Sequence, residues 1–208
     1  MDFTFDVISA EDYERQRRRY EPLTGAIRGL IDVGIHTDVD DATVLLALEH
    51  LEEATGFLEQ RQRSGGSTLR HADTDRPVAW ANPAVGLRNA IAPPMMIEYD
   101  ADGTCWSEFT LGPAYEGPPG WVHGGICALV LYHILGEVAS EGLTRPKFTG
   151  TISLRYLRGT HLGPIRAEAF VDRTEGVKTY ARGCLKDSDG VTVEAEVFIM
   201  PAWARDAG

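Results

Sequence analysis

The chain is poor in cysteine and in positive charge. Cys105, Cys127 and Cys184 are widely spaced, odd in number and form no CxxC pair, which argues against a disulfide framework or a zinc site. They read as free thiols in a reducing compartment, so a cytoplasmic protein is expected. Lys and Arg total 20 against 31 Asp and Glu, a net charge of −11. That balance argues against a nucleic-acid or anionic-membrane partner held by bulk electrostatics. No apolar run reaches the length of a membrane span. The first six residues lack a basic region followed by an apolar core, so no signal peptide is expected.

What is present fits one domain with an appendage, since 208 residues at 43% hydrophobic content can bury a real core. The first part reads as helical. Ser9-Ala10-Glu11-Asp12 resembles a capping box and leads through the basic cluster at Arg15–Arg19. Leu23, Ile27, Leu30 and Ile31 continue at helical spacing. Asp40-Asp41 opens a further helix, whose Val44, Leu45, Leu48, Leu51, Phe57 and Leu58 form an amphipathic stripe. Residues 61–75 are polar and read as a linker or mobile loop, and 77–94 as loop.

The remainder changes character. Residues 95–99 and 104–111 read as strands joined at Asp102-Gly103. Four more strand-like segments occupy 147–157, 164–172, 177–186 and 191–200. Ile152, Leu154 and Tyr156 alternate onto one face, as do Val191, Val193, Ala195, Val197 and Ile199. Between the two groups lies Gly117-Pro118-Pro119-Gly120-Trp121-Val122-His123-Gly124-Gly125, a turn-forming loop that runs into an apolar segment from Ile126 to Ala139. A helix apolar on most sides needs enclosing, and an antiparallel sheet wrapped around it would do so. The start of such a helix presents free N–H groups and the positive end of a dipole, suited to a phosphate or to a carbonyl oxygen becoming an oxyanion. Gly124 and Gly125 let a substrate approach that backbone, or serve only close helix–sheet packing. His123 reads either as the helix cap or as a group orienting substrate.

With Asn82-Pro83, Ala92-Pro93-Pro94, Tyr115-Glu116 before the glycine loop, Leu135-Gly136-Glu137 and Ser153-Leu154-Arg155-Tyr156-Leu157, the chain resembles the hotdog-fold acyl-CoA thioesterase superfamily, nearest its phenylacetate-pathway type. The resemblance covers roughly 77–201 and implies an α+β hotdog fold, with the domain placed at 77–208; the helices before it lie outside the resemblance, and 1–76 reads as an N-terminal helical extension and linker. It implies a hydrolase of acyl-CoA or a related thioester, working as a homodimer or homotetramer whose sites use both chains, with no metal and no cofactor. By motif, Gly124 donates its N–H to the thioester carbonyl, with Gly125 beside it. The family's helix carboxylate, nine positions after the His, falls on Tyr132. A strand hydroxyl that holds water falls on Thr149, or on Thr151 if the register slips. Arg155, Arg158, Lys178 and Arg182 are candidates for CoA phosphates, and Asn82, Arg88 and Asn89 for the pocket.

Tyr132 is the departure. Hydrolysis needs a base or an attacking carboxylate, and a phenol, protonated at neutral pH, is a poor substitute. Weak or absent turnover is therefore expected. Three readings stay open: a hydrolase with a weakened site, another carboxylate serving, or a protein that binds acyl thioesters without cleaving them. Glu137 lies five residues beyond Tyr132, about 140° around the helix at ~100° per residue, so it reads as a polar contact near the helix end. His133, about 100° around the helix from Tyr132, is a candidate stand-in base if it reaches the pocket rim. Glu116 is another, or a brace for its loop. Trp106 and Trp121 read as packing residues and Cys127 as a small core residue. A hotdog hydratase would place a His/Asp pair at other positions, and this chain offers no clear match.

Overall fold

A computed structural model describes residues 6–62, 69–145 and 147–200. Most of the segment read for a leader, part of the 61–75 linker and the last eight residues lie outside the described residues.

The helix signals act as capping chemistry predicts. Ser9 Oγ accepts the Asp12 N–H at 3.1 Å and starts α1 (Ala10–His36). The Asp12 carboxylate turns to Arg15 instead of closing a reciprocal box. Asp40 Oδ1 accepts the Thr43 N–H at 2.8 Å and starts α2 (Asp41–Glu59). α1 leans on the 3-10 turn Pro113–Tyr115, where Asp32 Oδ1 accepts the Ala114 N–H at 3.2 Å. α2 buries no residue, and its apolar stripe stays exposed.

A small sheet joins distant pieces of this extension. β1 (Asp6–Ile8) runs parallel to β2 (Leu69–His71), which pairs antiparallel with β3 (Pro77–Val78). Part of the stretch read as linker and the start of the stretch read as loop are thus strands.

The main sheet has six antiparallel strands: β4 (Glu98–Tyr99), β5 (Cys105–Leu111), β6 (Phe148–Tyr156), β7 (Gly163–Glu175), β8 (Lys178–Asp187) and β9 (Gly190–Met200). Their spatial order is β4-β5-β7-β8-β9-β6. β4 is shorter than its apolar run suggested, because Met96 gives its N–H to Ser107 Oγ at 3.1 Å instead of to a strand partner.

α3 (Gly124–Ala139) packs on one face of this sheet, against β5 to β9. Alternation supplies that face: Cys105, Ser107, Phe109 and Leu111 from β5, Ile165, Ala167 and Ala169 from β7, and Val193, Ala195, Val197 and Ile199 from β9 are all buried. Each large side chain so enclosed contributes about 1.5–3 kcal/mol. The expected α+β architecture, a sheet wrapped on one helix behind an N-terminal helical extension, is present.

Gly183 in β8 lets α3 settle onto the sheet. A Cβ there would lie 2.6 Å from the Glu168 carbonyl oxygen and 3.3 Å from Leu135 Cδ2. Gly183→Ala should cost about 2 kcal/mol by overpacking and lower Tm by about 6 °C, measured by calorimetry.

Candidate active site

The loop before α3 is built to present the helix start. Pro118 to Trp121 form a turn with Gly120 at φ +81° and the Trp121 N–H on the Pro118 carbonyl at 2.9 Å, the geometry of a type II turn. Glu116 Oε1 accepts the Gly120 N–H at 2.6 Å, so Glu116 braces its loop. The His123 N–H reaches the Tyr115 carbonyl at 2.9 Å and the Val122 N–H the Thr160 carbonyl at 2.8 Å. Trp121 stacks on His161, with centroids 4.1 Å apart, as a packing residue.

His123 is the N-cap of α3. Its Nδ1 accepts the Gly125 N–H at 3.0 Å, and its carbonyl takes Ile126 and Cys127 at 2.9 and 3.3 Å. Of the first-turn donors, Gly124 N–H is therefore the one without an acceptor among the described residues. Gly125's donor is committed to the cap. Tyr156, at the end of β6, forms a wall here: its hydroxyl donates to the Gly124 carbonyl at 2.9 Å, and its ring would lie 3.4 Å from a Cβ at 124. The alternation of Tyr156 with Ile152 and Leu154 was the signal that places it on this face.

Gly125, Leu129, Tyr132 and Gly136 line an open stripe of α3, with Tyr132 49% exposed. Along the helix, Tyr132 stands about 12 Å from Gly124. Thr149 begins the edge strand β6, about 20 Å along it from Tyr156. The register shifts between Thr149 and Thr151, and Thr151 falls on the outer face with Ser153. One chain thus does not bring Gly124, Tyr132 and Thr149 together.

The CoA candidates differ in freedom. Arg158 is committed: Nη1 binds Asp187 Oδ2 at 2.8 Å and Nη2 the Gly190 carbonyl at 2.9 Å, and this holds the Asp187 carboxyl well below the usual range. Arg155 is exposed, 3.7 Å from Glu194. Lys178 lies over the Phe198 ring at 5.5 Å, and Arg182 stands 3.7 Å from Asp172. Asn82 shapes its turn, accepting the Ala84 N–H at 2.7 Å, and Asn89 accepts the Ile91 N–H at 3.2 Å. Arg88 lies between the Tyr20 and Trp80 rings, bracing α1 on the loop. Trp106 packs under Arg166. The buried Cys127 thiol is pushed up by burial, unfit as a nucleophile.

Glu137 and His133 face another way, toward the N-terminal extension. Glu137 is buried, ion-paired with Arg76 and bonded to the Tyr99 hydroxyl at 3.0 Å. Burial pushes its carboxyl up, against the pull of Arg76. Burial, aided by Arg76, drives the His133 imidazole down to about 4. Arg76 and Tyr99 carry no spacing signal in the sequence that ties them to Glu137. Among the described residues no cluster could hold a metal ion, and no helix is long and apolar enough to cross a membrane.

The six-stranded sheet on one apolar helix is the hotdog arrangement. No protein-family model matches the chain, and no curated protein matches its sequence. Among solved structures, a thioesterase superfamily protein is 31% identical, with a TM-score of 0.77, covering 87% of this chain and 94% of its own. The chain therefore belongs to the thioesterase superfamily. That coverage is more than residues 77–208 alone supply, so the relative shares part of the N-terminal extension. A phenylacetic acid degradation-related protein from Ralstonia eutropha is 21% identical over 51% of this chain and 84% of its own, with a TM-score of 0.48. A thioesterase from Haemophilus influenzae is 14% identical over 51% and 77%, with a TM-score of 0.47.

His133 yields a pH prediction. A histidine kept neutral by folding binds its proton more weakly than in the unfolded chain, so its contribution is present above pH ~6.5 and lost as pH falls toward about 4. Glu137, shifted up, opposes this on acidification. The native protein should therefore lose up to about 3 kcal/mol more than His133→Phe between these limits, read from urea unfolding at each pH.

Proposed function

We propose that this chain hydrolyses acyl thioesters, acyl-CoA foremost, and does so as a homodimer. The observation that carries the reading is the helix-start amide. Gly124 N–H is left free while its neighbours are capped, which is what a developing oxyanion requires. The carbonyl oxygen sits on Gly124 N–H beside the Tyr156 ring. The separation of Gly124 from Tyr132 and Thr149 within one chain supports a site completed by a second copy, across the open stripe of α3. Arg155 and Lys178 remain available for the CoA phosphates, whereas Arg158 holds its turn.

Tyr132 places no carboxylate where the attack has to be driven, so turnover is slow. A second reading, an acyl-thioester binding protein without catalysis, draws on the same residue. Tyr132→Asp should raise kcat/KM on short-chain and aromatic acyl-CoA substrates by roughly 100- to 10,000-fold, followed by release of free thiol. No gain on any of them overturns the hydrolase. Calorimetric binding of a slowly hydrolysed acyl-CoA analogue, with no cleavage by either form, would leave the binding protein in its place.

A further inference from the structure

We propose that the cavity between the N-terminal extension and α3 binds a small uncharged molecule with a flat apolar body and one hydrogen-bonding group, of the simple phenol type. The cavity holds about 340 Å³. Tyr13, Trp80, Val85, Met95 and Ile97 supply apolar wall, and the Tyr13 and Trp80 rings lie stacked at 6.5 Å. Aromatic and thioether surfaces of this kind suit a flat apolar ligand.

The polar end is His133. Its side chain is only 10% exposed and borders the cavity, yet no hydrogen bond reaches the ring among the described residues. The nearest carboxylate oxygen, Glu137 Oε2, is 4.0 Å away. The imidazole nitrogens open onto the cavity with no protein partner among the described residues, and as a neutral ring it offers a ligand one N–H and one lone pair. The charges beside it are paired: Glu137 Oε1 takes Arg76 and Tyr99, and Arg17 pairs with Glu21 at 3.2 Å. Because the wall charges are matched, the cavity holds no countercharge for an ionic ligand, and a neutral hydroxyl is the group that fits. The site is distinct from the helix start. His133 stands nine residues from Gly124, about 13 Å along the axis and half a turn around it.

The test uses the full chain with p-cresol as probe and toluene as its counterpart lacking the hydroxyl. Calorimetry should show saturable p-cresol binding, and the His133 ring resonances should shift in NMR. His133→Phe keeps a flat aromatic ring, slightly larger than the imidazole, and removes both nitrogens. It should weaken p-cresol at least about tenfold while leaving toluene within about threefold. Ala79→Leu, which enlarges a lining side chain, should weaken both probes and keeps the test decisive if the histidine variant fails to fold. Absence of saturable p-cresol binding up to millimolar concentration overturns the proposal. So does a p-cresol affinity that His133→Phe leaves unmoved, or, if that variant does not fold, one that Ala79→Leu leaves unmoved. Neither outcome depends on thioester cleavage.

Discussion

α3 is apolar almost all round, and that makes demands on the rest of the chain. A helix of this kind has to be covered on more than the one side a sheet can reach. Cys127, Val130, Leu131, Ile134 and Val138 press into the sheet. His133 and Glu137 are closed over from another direction by the segment around Arg76 to Ile97. Gly125, Leu129, Tyr132 and Gly136 are left as the uncovered stripe. The three sectors correspond to three tasks: core packing, attachment of the extension, and the face where a second copy completes the proposed site.

The start of α3 follows from the same demand. A helix driven deep into a domain must begin at a fixed place, and its first N–H groups must be met or made useful. The turn at Gly120, the Glu116 brace and the backbone bonds to Tyr115 and Thr160 fix that place. His123 meets Gly125 with its side chain and the next two donors with its carbonyl. One donor is left over, that of Gly124. The exposed dipole end is the consequence of a cap that serves all but one of its neighbours.

Much of this was legible because it is local. Caps at Ser9 and Asp40, the alternation in the last four strands, and the turn residues at Asp102-Gly103 and Pro118-Pro119-Gly120 each act within a few residues. The glycine loop ahead of an apolar helix pointed to Gly124 for the same reason. The small sheet was not legible. Its strands are two or three residues long, too short to alternate, and β1 and β2 are separated in sequence by α1 and α2. Arg158 looked available for phosphate because nothing nearby in sequence announces Asp187. The Arg76–Glu137–Tyr99 cluster was hidden in the same way: its members are 38 and 61 residues apart.

That cluster bears on how separable the extension is. A buried carboxylate is tolerated when a charge and a hydrogen bond meet it, and removing one partner leaves an uncompensated group at a cost of about 3–5 kcal/mol. For Glu137 the charge comes from Arg76, in the turn between β2 and β3, and the hydrogen bond from Tyr99 in β4. A division between residues 76 and 77 would part Arg76 from Glu137 and β2 from β3. The α-helical extension and the hotdog sheet therefore share one half-buried ion pair at the far end of α3. A hotdog domain lacking that extension would keep the Tyr99 hydrogen bond to Glu137 but lose its countercharge. The sequence boundary between the two is a change of pattern, whereas physically they are joined through the helix that both enclose.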